Sequence, residues 1–260
     1  MAIILKTGQE IDLMKQTGKV LSKILTIMGK AITPGITTKE IETIAIDHLK
    51  KHNAVSASLN YPTYKTGEGY PSPVCLSVND EVVHGIASDR ILNNGDIITL
   101  DLAILLNDFY CDSAITVPVG NIGPESQKLI DITNDALYIA MANIKPNRKW
   151  SEIAIKIQNY VEGHGFDVVS QYVGHGIGKY LHEDPKIPIT HINSHLDFTI
   201  QAGMTLAIEP IVVIGSPKIK MLDNGWTAVT EDGKRAAHFE HTIAVTDAGA
   251  YILTLDLDGK

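Results

Sequence analysis

The chain has 260 residues, 44% of them apolar, enough for one large core or for two lobes that share one. A formal net charge of −8 with no Lys/Arg cluster argues against a nucleic-acid partner. Two cysteines, Cys75 and Cys111, exclude a disulfide framework and point to a reducing compartment. The opening MAIILKTGQE has no basic n-region, and no apolar run reaches the length of a membrane span. A soluble, cytoplasmic protein with no membrane contact is therefore expected.

Along the chain, Thr7-Gly8-Gln9-Glu10 reads as a capping box, and the apolar residues behind it, from Leu13 to Ile32, recur at helical spacing. Pro34-Gly35 ends that helix, and Thr37-Thr38-Lys39-Glu40 opens a second. Residues 53–73 read as loop, with Tyr, Pro and Gly throughout. Strands are predicted over 74–78, 97–105 and 109–117, helices from Gly123-Pro124 to about Ile144 and over 151–163, and further strands over 168–173, 204–214 and 238–245.

The sequence repeats itself weakly. ITPGITTKEI (32–41) parallels IKPNRKWSEI (144–153) at an offset of 112, and His52 and His164 keep that offset. Farther on, His84-Gly85-Ile86 echoes His175-Gly176-Ile177, and Gly95 precedes Asp101 by six as Gly203 precedes Glu209. Chance accounts for any one match; several in one order predict a single domain of two related halves, about 1–122 and 123–260. Each half would bring a histidine and a carboxylate to a site at their junction.

Four carboxylates stand where apolar residues belong: Asp101 in IITLDLAIL, Asp112 in FYCDSAITV, Glu209 in MTLAIEPIVVI and Glu240 in AHFEHTIAV. A two-residue turn between the first two strands puts Asp101 directly opposite Asp112 if Leu106-Asn107 turns, and diagonal to it if Asn107-Asp108 turns. Carboxylates so close in an apolar setting cannot all stay ionised without cations. His175, flanked by Gly174, Gly176 and Gly178, adds a nitrogen ligand. Asp101, Asp112, His175, Glu209 and Glu240 together suit two divalent cations, Mn2+, Fe2+ or Co2+ with Zn2+ tolerated.

This order of ligands, with GHGIG around the histidine and FEHT around the last glutamate, resembles the methionine aminopeptidases of the pita-bread metallopeptidase fold, from about Thr7 to Asp247. Only 27 positions separate His182 from Glu209, which leaves no room for the helical insertion of the type II branch, so the type I branch is the one resembled. The resemblance implies an α/β (α+β) fold with antiparallel sheet inside and helices outside. It implies hydrolysis of N-terminal methionine from nascent polypeptides at the ribosome, and a monomer. It makes His84, His182 and Glu209 catalytic: Glu209 moves a proton, His182 steadies the carbonyl oxygen, and His84 contacts the amide after the scissile bond. Tyr70, Cys75 and Trp226 line the methionine pocket, and the glycines around His175 let substrate backbone pass. Two departures stand out: Leu181 precedes His182 where an aromatic is usual, and the segment holding Tyr61 and Tyr64 does not align. The rivals are an X-Pro aminopeptidase of the same fold, and a metal-free protein that only binds nascent chains or partners. The former usually carries a separate N-terminal domain and the latter typically loses ligands, whereas all five are present here.

Overall fold

The first helix shows how local signals build the frame. Thr7 accepts from the Glu10 N–H while the Glu10 carboxylate accepts from the Thr7 N–H, a complete capping box, and such caps contribute about 1 kcal/mol each. Met14, Thr17, Gly18, Leu21, Ser22, Leu25 and Met28 then bury one face at 3–4 residue spacing. The same box recurs at Thr37 and Glu40. The computed structural model describes residues 3–62, 67–190 and 196–255. In chain order the elements are α1 (Gly8–Ala31), α2 (Thr38–Lys51), β1 (Val55–Ser56), β2 (Cys75–Val78), β3 (Glu81–Val83), β4 (Ile97–Leu106), β5 (Phe109–Pro118), α3 (Pro124–Asn143), α4 (Trp150–Gly163), β6 (Asp167–Val168), β7 (Gly174–Gly176), β8 (Glu183–Ile187), β9 (Thr205–Ile208), β10 (Ile211–Val213), β11 (Ile219–Met221), β12 (Ala228–Thr230), β13 (Ala236–His238), β14 (Glu240–Thr246) and β15 (Gly249–Ile252).

The main sheet runs β1-β4-β5-β14-β9-β7-β8, with β2 also on β4 and β15 on β14; β13-β10-β6 and β11-β12-β3 form two small sheets. Every pairing is antiparallel. One apolar cluster joins α1 and α2 to β2, β4 and β5. A second joins α3 and α4 to β9 and β14, centred on Trp150, whose indole N–H donates to the Pro188 carbonyl at 2.7 Å. β4 is buried along nearly its whole length: Ile98, Leu100, Leu102 and Ile104 pack into the cluster under α1 and α2, while Asp101 and Ala103 line the cavity described below.

Three predicted strands are shorter than expected, and the reason matters. The run 204–214 is two strands, β9 and β10, in different sheets, broken at Glu209-Pro210. The run 238–245 is likewise broken at Phe239 between β13 and β14. Proline lacks the N–H a ladder needs, so Pro210 forces the switch. Both breaks re-aim a carboxylate. The run 168–173 is strand only at Asp167–Val168.

The same backbone hydrogen bonds are made twice. Gly35 N–H donates to Leu92 C=O (2.8 Å), Leu92 N–H to Ile36 C=O (2.9 Å) and Thr38 N–H to Arg90 C=O (3.0 Å). Asn147 donates to Ile200 (2.8 Å), Ile200 to Arg148 (2.9 Å) and Trp150 to Phe198 (3.0 Å). Gly35 and Asn147 both have positive φ. Carried into the sheet at the same spacing, this pattern matches Thr99 with Ala207, hence Ser77 (opposite Thr99) with His175 (opposite Ala207). The expected echo of His84 with His175 is therefore not a structural equivalence.

At the junction of β5 with β13 and β14, two threonines make reciprocal clasps. Thr242 Oγ1 accepts from the Asp112 N–H (2.9 Å) and donates to the Asp112 C=O (2.7 Å). Thr116 Oγ1 accepts from the His238 N–H (2.9 Å) and donates to the His238 C=O (2.8 Å). Thr116 and Thr242 are 126 positions apart, and so are Asp112 and His238.

Gly18 of α1 lies under the C-terminal segment: a Cβ there would come 2.1 Å from the Leu253 carbonyl oxygen. Gly18→Ala gains about 1 kcal/mol of helix propensity but meets backbone, and overpacking of this kind costs about 1–3 kcal/mol. The expected outcome is a lower Tm in thermal denaturation; a Tm at or above wild type would show that the two segments are not in contact.

Candidate metal centre

β4 and β5 turn through Asn107-Asp108, with Leu106 opposite Phe109 and positive φ at both turn residues. This is the two-residue geometry that suits hairpin twist. Of the two registers open to the sequence, it selects the diagonal one: Asp101 pairs with Ala114 and Asp112 with Ala103. Burial, and then the neighbouring Asp112 carboxyl, push the Asp101 carboxyl well above the usual carboxylate range. Across the junction Glu240 pairs with Ala114, which places it beside Asp101 and Asp112. β7 lays His175 against β9, and Glu209 follows directly at the end of that strand.

Gly174 and Gly176 explain the close fit, though not as expected. A Cβ at Gly174 would lie 2.4 Å from the Ala207 carbonyl oxygen, and one at Gly176 would lie 2.3 Å from that of Asp184. The glycines admit the protein's own neighbouring strands rather than substrate backbone. His175 Nδ1 bonds the Gly176 carbonyl at 2.9 Å, which puts the ring proton on Nδ1 and leaves the Nε2 lone pair facing the carboxylates. That Nε2 lies 3.8 Å from Glu209 Oε1.

Asp112, His175 and Glu240 each present one ligand atom, all within 4.8 Å of one another. Asp112 Oδ1 and Glu240 Oε1 are buried with no hydrogen-bond partner among the described residues. Buried oxygens without a donor are costly, and a cation removes that cost. Burial, then mutual repulsion, drives the carboxyl pKa values up: Glu209 to about 8, and Asp101 and Glu240 well above the carboxylate range. Burial also raises Asp112, to about 7. Desolvation holds His175 down to about 3, so it is a neutral donor at any ordinary pH. The residues present thus fit divalent cations: oxygen-rich, one imidazole, no thiolate.

Asp101, Asp112, His175 and Glu209 line a cavity of about 230 Å³ whose lining also holds Tyr70, Cys75, His84, His182 and Trp226. Glu240 lies behind the wall, 2% exposed. All the residues expected at the site are therefore brought together. Cys75 stands opposite Asp101 on the neighbouring strand and lines the cavity with Tyr70, whose hydroxyl donates to the Gly85 carbonyl at 2.8 Å. Tyr70 meets the Trp226 ring edge-on at 5.1 Å. His84 adopts a left-handed backbone (φ 58°), a conformation uncommon outside glycine, and its carbonyl accepts from Thr227 Oγ1 at 3.0 Å. His182 packs against the His175 ring, centroids 4.3 Å apart.

Tyr61 is the residue that sequence reasoning left without a role. Its hydroxyl lies 2.8 Å from His182 Nδ1, and it lines the cavity with Leu181. Tyr64 lies outside the described residues. Beneath the same loop, Lys6 and Glu183 form a buried ion pair, and Glu183 accepts from the Tyr180 N–H. No sequence pattern links a lysine at position 6 to a glutamate at 183.

The family model for metallopeptidase family M24 matches residues 12–247. The chain belongs to metallopeptidase family M24. Within it, the chain is 45% identical over 253 residues to methionine aminopeptidase 1 of Bacillus subtilis, covering 97% of this chain and 99% of that one. The crystal structure of methionine aminopeptidase from Thermotoga maritima superposes with a TM-score of 0.91 at 40% identity, covering 97% and 99% of the two chains. The prolidase of Pyrococcus horikoshii shares the fold alone: TM-score 0.75, 20% identity, with 63% of that chain covered. The pita-bread architecture expected from the sequence is the one found. Among the described residues no helix is long and apolar enough to cross a membrane.

The raised carboxyl pKa values set the pH dependence of the metal-free protein. A group whose folded-state pKa exceeds its unfolded value stabilises the fold fully below the unfolded value, and loses that contribution as pH rises through the folded one. For Asp112 and Glu209 this window runs from about pH 4 to about 7 and 8. Metal-free Asp112→Asn should therefore gain Tm relative to metal-free wild type as pH is raised across it. A Tm difference independent of pH would contradict the crowding.

Proposed function

We propose that this chain is a cytoplasmic, monomeric methionine aminopeptidase that removes N-terminal methionine from nascent polypeptides, at the ribosome, when the second residue is small. Two divalent cations, held by Asp101, Asp112, His175, Glu209 and Glu240, serve it, and its single domain consists of two related halves, about 1–122 and 123–260. The observation that carries the reading is that Asp101, Asp112, His175 and Glu209 share the lining of one small cavity with the apolar and aromatic side chains of Cys75, Tyr70 and Trp226. At about 230 Å³ the cavity falls below the roughly 300–1,000 Å³ of drug-sized sites and suits one unbranched side chain.

Bound divalent cations supply Lewis acidity for a water nucleophile and a peptide carbonyl. The chain's own groups do the rest. Glu209, partly exposed at the cavity wall, is placed to accept a proton and return it to the leaving amine. The Tyr61 hydroxyl lies 2.8 Å from His182 Nδ1; in the tautomer in which the phenol is the donor, the imidazole proton sits on Nε2, free to donate to a carbonyl oxygen. Desolvation lowers the His84 pKa to about 4, so His84 meets the substrate amide as a neutral imidazole. Cys75, Tyr70 and Trp226 frame the slot, and a flexible, polarisable thioether fills such a slot well.

A peptide panel, Met-X-Ser and Z-Ala-Ser, tests the reading by kcat/KM. Met-Ala-Ser should exceed Leu-Ala-Ser by ~10–200-fold, the range one apolar side chain of this size can supply, and bulky X should be poor. Equal rates for methionine and leucine would overturn the assignment; fast cleavage before proline after bulky residues would favour an X-Pro aminopeptidase. His182→Ala should lower kcat by roughly 10²–10³ with metal content unchanged. Tyr61→Phe, which loses one hydrogen bond to that imidazole, should lower it by only about 2–10-fold. A Tyr61→Phe enzyme with unchanged kcat would remove the tyrosine from the account.

A further inference from the structure

His238 has no role in the site as described, yet its ring is the most anomalous polar group near it. It is 3% exposed, and among the described residues neither Nδ1 nor Nε2 has a hydrogen-bond partner. A buried imidazole with both nitrogens unused is costly unless a partner arrives. Its Nε2 lies 4.0 Å from Glu209 Oε2, while the other oxygen of that carboxylate, Oε1, faces His175 Nε2 at 3.8 Å. Glu209 therefore stands between two imidazoles, one on each oxygen.

The fold explains why a side chain at 238 points there. Thr116 clasps the backbone of His238 as Thr242 clasps that of Asp112. Asp112 pairs with Ala103, two residues beyond Asp101; His238 pairs with Ile211, two beyond Glu209. His238 thus holds the position relative to Glu209 that Asp112 holds relative to Asp101. In one half the diagonal partner is a second carboxylate; in the other it is an imidazole.

We propose that His238 is a positioning residue for Glu209: its Nε2–H donates to Glu209 Oε2, so that Oε1 is held toward the cations. A neutral imidazole with its proton on Nε2 can do this, closing the 4.0 Å gap by a small shift of either side chain. Outer hydrogen bonds of this type orient metal ligands, and losing one typically costs 10–100-fold in metal affinity. The inference rests on Glu209 being a ligand, as proposed above.

Titration calorimetry of Mn2+ into metal-free protein tests it without turnover. His238→Leu, which fills the volume without an N–H, should weaken binding by about 10–100-fold. His238→Gln, whose amide N–H can reach the same oxygen, should restore most of that loss. The Tm of each metal-free variant shows whether it folds, and the visible absorption of the Co2+ form should be the same in wild type and His238→Gln. Unchanged affinity in His238→Leu overturns the proposal. Failure of His238→Gln to rescue, with an altered Co2+ spectrum, overturns it in favour of direct ligation. Asp112→Asn separates the two levels: if it too leaves Mn2+ affinity unchanged, the ligand assignment itself fails, whereas loss there with none in His238→Leu sinks only the role of His238.

Discussion

Four carboxyl groups packed around one imidazole, in a wall built of strands, is the constraint on which the rest depends. Asp112 Oδ1 and Glu240 Oε1 find no donor among the described residues, and the carboxyl pKa values rise with burial and proximity. In water this cluster would disperse; here two helix-backed cores hold it in place. The protein accepts an unfavourable local charge arrangement because divalent cations turn the same arrangement into a binding site.

The sheet carries that tension through its connections. β5 and β14 pair over only Glu240↔Ala114 and His241↔Ser113, and the Thr116 and Thr242 hydroxyls complete the seam where the main-chain ladder gives out. Three of the groups near the cations sit at or beside strand breaks: Glu209 ahead of Pro210, Glu240 after Phe239, and His238 before it. A continuous strand would alternate its side chains between two faces. The breaks let β9, β13 and β14 aim a glutamate, a histidine and another glutamate at one place.

Much of this was legible in the sequence because it rested on local rules. Both capping boxes, the Pro124 helix start and the β4–β5 hairpin follow from residue type and spacing, and so does the oddity of acids in apolar runs. The choice between hairpin registers was not legible, since it turns on which two residues tolerate positive φ, and Asn107-Asp108 competes with Leu106-Asn107 until the strands are paired. The break at 239 was hidden because the apolar run continues straight through it, whereas Pro210 was a visible signal of the break at 209–210 that the apolar run on either side outweighed. The echo of His84 with His175 misled for the opposite reason: a three-residue match survived in the letters without shared register. Tyr61 and the Lys6–Glu183 pair depend on contacts across more than a hundred positions, which no local pattern encodes.

The central claim is that divalent cations, held between Asp101, Asp112, His175, Glu209 and Glu240, relieve the crowding of the carboxylates. Anomalous diffraction from crystals grown with Mn2+, collected at the manganese edge, tests it most directly. The account predicts two peaks among these five side chains, roughly 3.5–4 Å apart, with Asp112 Oδ1 and Glu240 Oε1 each facing a cation. A map with no peak there, and the carboxyl groups hydrogen-bonded to one another at full Mn2+ loading, would contradict it.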